Sequence, residues 1–228
     1  MSRYTLHYFD VPARGEAIRL AFYIGGIEYE DRIVSFSDLT EWQLMKQDVL
    51  TGKDKDVGKM PFLPWLEKDG KFISQSGAIL RYIGRETGLC GANSWETAQV
   101  DNISDTIDDL ITLGLSKVYH ATSEEKPKVA LTFFEGDFKN IVGALEKVLS
   151  ANYGGKKFCV GKKLTYADLM VFVYLNMFDT MVAPHLKGKD PYKTIPLTKS
   201  LRDRVGSLPK VKEYYTVREN NNKPNSLT

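Results

Sequence analysis

The chain has 228 residues, 43% of them hydrophobic, which is enough to bury the cores of two small domains. Its 31 basic and 29 acidic residues nearly balance, which excludes a protein built to bind nucleic acid or a charged membrane surface. No apolar run approaches the ~18 residues needed to cross a bilayer, and the N-terminus shows no apolar signal region. We therefore expect a cytoplasmic protein with neither a nucleic-acid nor a membrane partner.

The cysteines and histidines give no pattern of a disulfide framework or a metal centre. Cys90 and Cys159 are the only cysteines, and they are far apart in the chain. His7, His120 and His185 do not have the spacing of metal ligands. We expect reduced thiols and no metal requirement.

The first third of the chain alternates strand and helix patterns. Residues 4–9 are β-prone, and residues 14–26 carry apolar side chains at i, i+3 and i+4 before a glycine pair. A second strand is predicted over 28–34, and an irregular stretch over 35–59. This order predicts a βαβ unit.

A hairpin and a helix follow this unit. Two strands are predicted at 62–66 and 71–73, because the Asp69-Gly70 pair between them favours a tight turn. A helix is predicted over 78–85. The order of elements becomes βαβ–ββα, which is typical of a thioredoxin-like domain.

From residue 94 onward the pattern is helical throughout. The apolar stripe of the first long helix consists of Val100, Ile103, Ile107, Leu110, Ile111, Gly114 and Val118. A second helix is predicted from about Glu124 to Leu149. Thr165 and Asp168 form a predicted capping box before a helix that is apolar nearly all round, which we expect at the centre of this domain.

These patterns predict an α+β chain with an N-terminal thioredoxin-like βαβ–ββα domain and a C-terminal all-α domain. We place the first domain at 1–84, a linker at 85–93 and the helical domain at 94–218. Residues 219–228 form a predicted polar, mobile tail.

Several short motifs, spread over both domains, carry a family resemblance. They are Tyr8 with Arg14, Trp42 with Lys46, Gly58-Lys59-Met60-Pro61, Gln75-Ser76 with the following 77–82, and the capping box at Thr165. With these motifs the chain resembles a cytosolic glutathione S-transferase of the tyrosine type. The Trp42–Lys46 spacing and residues 58–61 resemble the sigma class, our first choice, while residues 84–89 also resemble the pi class.

The resemblance implies a role for Tyr8 and Arg14 in catalysis. Tyr8 is expected to donate its hydroxyl to the sulfur of glutathione, the co-substrate, and to hold the sulfur as a thiolate. Arg14 is expected to add a positive field near that sulfur. The chain has no Cys-x-x-Cys motif, so the reacting sulfur is expected to come from the ligand.

The same resemblance implies which residues bind the peptide part of glutathione. Pro61, expected to be cis, would let the backbone of Met60 pair with the cysteinyl unit. Gln75 and Ser76 would bind the γ-glutamyl carboxylate, Ser76 at a helix N-terminus. The residues expected to hold the glycine carboxylate are Trp42, Lys46 and Lys59, although solvated surface charge also accounts for the two lysines.

An acidic face on the long helix has three interpretations. In the family, the position of Asp109 reaches across a two-fold interface to the ammonium group of glutathione in the other subunit, which implies a homodimer. A solvated helix face also explains the clustering of Asp101, Asp105, Asp108 and Asp109. A divalent cation held by Asp105 and Asp108 is a weaker hypothesis.

The resemblance further implies a hydrophobic pocket for the electrophile, lined by Phe9, Val11, Arg14 and Tyr119. Three functions stay open. They are conjugation of glutathione to hydrophobic electrophiles, a glutathione-dependent isomerase of the prostaglandin D synthase kind, and a non-catalytic ligand-binding or crystallin-like protein. The intact set of Tyr8, Arg14, Gln75 and Ser76 favours an enzyme, and conjugation is our first expectation.

Overall fold

The computed structural model describes residues 4–220, which divide into two compact units. The first unit contains the chain up to Gly88 and a C-terminal segment that begins at Glu213. The second unit is Leu89–Lys212. The division therefore falls inside the predicted linker, 85–93, whereas the predicted helical domain, 94–218, runs past the end of the second unit.

A four-stranded mixed sheet forms the centre of the first unit. Its strands are β1 (Tyr4–Phe9), β2 (Glu30–Val34), β3 (Trp65–Lys68) and β4 (Lys71–Ser74). They lie in the order β2-β1-β3-β4, with β1 parallel to β2, and with β3 antiparallel to both β1 and β4. The predicted βαβ–ββα order is confirmed, and β3 begins later than predicted because Pro61 and Pro64 cannot donate to a strand ladder.

Three helices accompany the sheet. A short 3-10 turn, Ala13–Gly15, leads into α1 (Glu16–Gly25), and α2 (Thr40–Leu50) and α3 (Ser76–Glu86) follow. The prediction of an irregular stretch over 35–59 was wrong, since α2 lies inside it. None of the residues of α2 is buried, so the apolar period that marks an amphipathic helix is absent from its sequence.

The core of the first unit lies between the sheet and the helices α1 and α3, which pack against each other. Leu6 and Leu66 point into it from the strands, and Ile18, Phe22 and Ile79 from the helices, each 1% exposed or less. Buried apolar area of this kind contributes about 25 cal/mol per Å² to folding.

The second unit is helical over its described length. Its helices are α4 (Ser94–Leu110), α5 (Ser116–His120), α6 (Lys126–Phe133), α7 (Lys139–Ala151), α8 (Tyr166–Met181) and α9 (Pro196–Gly206). The last helix, α10 (Pro209–Asn220), begins in this unit and ends in the first. The predicted tail, 219–228, therefore starts within a helix, and 221–228 lie outside the described residues.

Each of the two predicted long helices is interrupted by a wider π turn. These turns are Ile111–Leu115 after α4 and Phe134–Phe138 after α6. At Gly114 a Cβ atom would lie 2.1 Å from Cε2 of Phe133, so only glycine permits this approach of the two chain segments. The apolar pattern of the sequence predicts the helices but not the extra residue in each π turn, since one added residue changes the helical period only locally.

Helix α8 is the central element of the second unit, as predicted. It packs against α4 and α9, and Val171, Leu175 and Phe178 are among its buried residues. The predicted capping box is confirmed: Asp168 accepts the N–H of Thr165 at 2.8 Å and the Thr165 side chain caps in return. Within residues 4–220 no helix is both long and apolar enough to cross a membrane.

Candidate functional site

Tyr8 occupies the penultimate position of β1, and its ring is only 5% exposed. Its hydroxyl oxygen accepts a hydrogen bond from the backbone N–H of Arg14 at 3.2 Å. Since a hydroxyl group both accepts and donates, this bond uses an acceptor position of the oxygen and not its proton. The backbone of Arg14 therefore fixes the position of the Tyr8 hydroxyl oxygen.

The space for the Tyr8 ring depends on a glycine that sequence reasoning did not single out. A Cβ atom at Gly15 would lie 2.4 Å from Cδ1 of Tyr8, far inside van der Waals contact. Gly15 is therefore required by the ring that passes over it, although its φ is an ordinary helical one. The Tyr8–Arg14 motif ends one residue before it, so the adjacent glycine was the available signal.

Three strand ends meet at the edge of the sheet where Tyr8 lies. Trp65, the first residue of β3, pairs with His7 of β1 and with Ser74 of β4. The end of β1, the start of β3 and the end of β4 therefore lie side by side. This register collects the segments around Tyr8, Pro64 and Gln75 at one edge of the first unit.

The expectation of a cis peptide bond at Pro61 was wrong. The Leu63–Pro64 bond is the one cis bond among the described residues, so Met60–Pro61 is trans. The backbone of Met60 is also already occupied: its N–H donates to Ser74 Oγ at 2.8 Å, and its carbonyl accepts the indole N–H of Trp65 at 2.8 Å. Its N–H cannot pair with a peptide without losing the bond to Ser74.

Leu63, rather than Met60, precedes the cis proline. It is half-buried, and it precedes β3 at the edge where the three strand ends meet. In residues 4–220 no hydrogen bond to its backbone N–H or carbonyl is formed. The Met-Pro-Phe-Leu-Pro sequence contains two prolines, and the sequence pattern around one resembles the pattern around the other.

Gln75 and Ser76 form the turn from β4 into α3. Gln75 has φ 77° and ψ 114°, a conformation that costs a non-glycine residue about 1–3 kcal/mol. It is exposed, and Ser76 is half-buried as the first residue of α3, where no side chain of the described residues caps the first turn. The backbone N–H groups of that turn and the helix dipole favour an anion.

Trp42 and Lys46 are one turn apart on α2, and both are half-buried. The indole ring of Trp42 packs edge-on against Phe9 at 6.1 Å and Trp65 at 5.7 Å between ring centroids. Trp42 is therefore held beside the edge that carries Tyr8. Lys46 extends from the same side of the helix, because residues four apart lie on one face.

Lys59 is held within the protein. Its ammonium group lies 2.7 Å from Asp54 Oδ2 and 3.9 Å from the ring centroid of Phe72. The hydrogen bond from Lys59 lowers the pKa of the Asp54 carboxyl below its usual value. Asp54 uses one of the three N–H donors of this group, and the role of Lys59 as a glutathione contact stays a prediction.

Two predicted residues belong to the second unit. Asp109 is exposed near the end of α4, and Tyr119 is 44% exposed on α5 with its ring beside His120. Asp101, on the acidic face, accepts the Tyr166 hydroxyl at 2.5 Å and so has a structural contact. Among the residues that are described, no group of three or more His, Cys, Asp or Glu side chains could hold a metal ion.

Comparison with known proteins decides the family. The family model for the Glutathione S-transferase, N-terminal domain matches residues 4–85, and that for the Glutathione S-transferase, C-terminal domain matches residues 108–218. The chain belongs to the glutathione S-transferase family. The predicted fold class and the predicted enzyme class, glutathione S-transferase, are both confirmed.

Curated relatives of this transferase carry three kinds of name. S-crystallin 4 of Enteroctopus dofleini is 32% identical over 231 residues, covering 94% of this chain and 96% of that protein. Glutathione S-transferase 1 of Ascaris suum is 32% identical over 234 residues, covering 96% and 98%. Hematopoietic prostaglandin D synthase of Gallus gallus is 35% identical over 211 residues, covering 92% and 94%.

Solved structures resemble this chain over nearly its whole length. The pi-class glutathione S-transferase of Onchocerca volvulus has a TM-score of 0.79 at 26% identity, covering 97% of this chain and 96% of that one. Monomeric Na-GST-3, a glutathione S-transferase of Necator americanus, has a TM-score of 0.79 at 28% identity, covering 95% and 97%. Relatives of the predicted main function and of both alternatives are therefore present.

Proposed function

We propose that this transferase activates glutathione as a thiolate through the hydroxyl of Tyr8 and directs it at hydrophobic electrophiles. The observation that carries the proposal is the hydrogen bond from the Arg14 N–H to the Tyr8 hydroxyl at 3.2 Å. This bond holds the hydroxyl oxygen through an acceptor position, and the hydroxyl would donate its proton to the sulfur of bound glutathione. The side chain of Arg14 would add a positive field to the same site.

The energy required agrees with one hydrogen bond to a charged acceptor. A thiol with a pKa near 8.5 is about 3% ionised at pH 7. Lowering that pKa by ~2 units takes about 2.7 kcal/mol of preferential stabilisation of the anion. A hydrogen bond to a charged group contributes about 1.5–3 kcal/mol, so the Tyr8 hydroxyl can supply most of the shift.

The peptide part of glutathione is proposed to bind along the edge where the strand ends meet. The unpaired backbone groups of Leu63 would pair with the cysteinyl unit, and this replaces the predicted role of Met60 and Pro61. Gln75 and Ser76 would hold the γ-glutamyl carboxylate at the start of α3. Trp42 and Lys46 would bind the glycine carboxylate.

The electrophile pocket and the assembly are parts of the same proposal. Phe9 and Val11, both half-exposed, would line the pocket with Arg14, and the expected part of Tyr119 stays a prediction. A homodimer would allow Asp109 of one subunit to reach the glutathione ammonium of the other, and the exposure of Asp109 is compatible with this role. Location in the cytoplasm and a role in detoxification, both typical of the family, complete the proposal.

The test replaces Tyr8 by phenylalanine, which removes the hydroxyl and keeps the ring. We expect glutathione affinity to stay nearly constant, the pKa of the bound thiol to rise, and turnover to fall ten-fold or more, as the loss of ~1.5–3 kcal/mol requires. Ultraviolet titration of the bound thiolate measures the pKa directly. Tyr23→Phe, the same change on α1, is the control.

An unchanged thiol pKa in Tyr8→Phe would overturn the assignment. The assay panel should contain halonitrobenzene, enone, peroxide and prostaglandin endoperoxide substrates. Thiolate formation with turnover of the endoperoxide alone would favour the isomerase, and a bound thiol with the pKa of free glutathione would favour a crystallin-like protein.

A further inference from the structure

A buried arginine on α1 holds the turn that follows Tyr8. The side chain of Arg19 is 1% exposed. Its Nη2–H donates to the carbonyl oxygen of Phe9 at 2.9 Å, and its Nη1–H donates to the carbonyl oxygen of Val11 at 2.9 Å. One planar guanidinium group therefore joins two points of the chain that lie on either side of Asp10.

Asp31 of β2 fixes this guanidinium group from the other side. The Nε–H of Arg19 donates to Asp31 Oδ2 at 3.1 Å, and Nη2–H also donates to Oδ1 at 3.2 Å. Burial opposes the charged form, but the carboxylates of Asp31 and Glu16 hold the pKa of Arg19 above its usual value. Arg19 is thus a charged group with a single, well-defined orientation.

The turn that Arg19 holds is the one that delivers the Arg14 N–H to Tyr8. Ala13, directly before Arg14, has φ 33°, a conformation that a residue with a Cβ atom adopts at a cost. The two carbonyl groups that Arg19 binds, those of Phe9 and Val11, precede this strained residue in the chain. The guanidinium carbon also lies 5.5 Å from the centroid of the Tyr8 ring, so the cation faces the same side chain.

We propose that Arg19 is a positioning residue for Tyr8: it holds the turn after β1 so that the Arg14 N–H meets the Tyr8 hydroxyl oxygen and fixes the place from which the hydroxyl acts on the sulfur. The thiolate part of this inference rests on the proposed function. Arg19 itself is buried under the turn and touches neither the sulfur nor the electrophile in this scheme.

The test replaces Arg19 by lysine, which keeps the charge but offers one nitrogen in place of the three that reach Asp31, Val11 and Phe9 in a planar fork. The matched control is Arg32→Lys on β2, since Arg32 forms an exposed pair with Glu41 at 2.8 Å. The first measurement is hydrogen exchange of the Arg14 amide by NMR, without glutathione. We expect exchange to become at least about ten-fold faster in Arg19→Lys and to stay unchanged in Arg32→Lys.

A buried ion pair that loses one partner can prevent folding, so a second variant is needed. The double variant Arg19→Gln with Asp31→Asn removes both charges of the pair together, and Glu16 keeps the guanidinium group of Arg218 at 3.2 Å. The same acceleration of the Arg14 amide is expected. Unchanged exchange in whichever of the two variants folds would overturn the proposal.

The second measurement separates positioning from a purely structural role. In Arg19→Lys the pKa of bound glutathione should rise by about one unit, a ten-fold fall in the thiolate-to-thiol ratio, and the acid limb of the kcat/KM profile should move with it. Faster exchange with an unchanged thiol pKa would overturn the positioning role. A wild-type protein that forms no thiolate would instead refute the proposed function, which the exchange measurement does not require.

Discussion

Replacing Gly15 by alanine should damage catalysis without removing any group that takes part in it. The added Cβ atom would lie 2.4 Å from Cδ1 and 2.9 Å from Cε1 of Tyr8, where ordinary contacts begin at 3.4 Å. The backbone at Gly15 is fixed because α1 begins at the next residue, so the ring of Tyr8 has to move by about 1 Å. The hydroxyl at the far end of the ring moves with it.

The expected magnitude follows from that displacement. A misplacement of about 1 Å in a reacting group costs on the order of 10²-fold in rate, so kcat/KM should fall by about 10²-fold. Overpacking also destabilises the fold by about 1–3 kcal/mol, which leaves most of the protein folded at room temperature. Binding of glutathione should change far less than turnover, because the peptide contacts do not pass through the ring.

Steady-state kinetics with glutathione and a halonitrobenzene, beside urea unfolding, test this expectation. The control is Gly143→Ala on α7, where a Cβ atom meets nothing within 4 Å. That variant should keep full activity and gain up to about 1 kcal/mol in stability. A Gly15→Ala enzyme with wild-type kcat/KM would refute the argument that the close approach sets the position of Tyr8.

Two further predictions concern Asp109 and His7. In mixed dimers, a subunit that carries Asp109→Asn should weaken glutathione binding about ten-fold at the site of its wild-type partner and leave its own site intact, whereas Asp105→Asn should not; equal binding at both sites contradicts the role across the interface. Burial lowers the pKa of His7, so as the pH falls below about 6.5 the unfolded chain binds a proton first, and the free energy of unfolding falls by up to about 1.4 kcal/mol per pH unit. Urea unfolding between pH 7 and pH 5 should show a shallower fall in His7→Phe, while a control that lacks the exposed His120, His120→Gln, should keep the wild-type slope.

Much of the fold could be predicted because its signals are local. The alternation in residues 4–9, the Asp69-Gly70 turn and the capping box at Thr165 each specify their structure within a few residues. The positions of Tyr8 and Gln75 at strand ends could be predicted in the same way, because the strand patterns end beside them. Helix α2 could not be predicted in this way, because it buries none of its residues.

The sequence by itself determined the two-part α+β architecture, the family and the strand-end position of Tyr8, because local propensity and short motifs act over a few residues. The tertiary structure alone decided which of two neighbouring prolines follows a cis bond, and that the ammonium group of Lys59 donates to Asp54. It also decided that Gly15 must stay free of a side chain and that Arg19 holds the turn after β1. These features depend on atoms that are brought together only when the sheet and α1 pack, and no local pattern in the chain records such contacts.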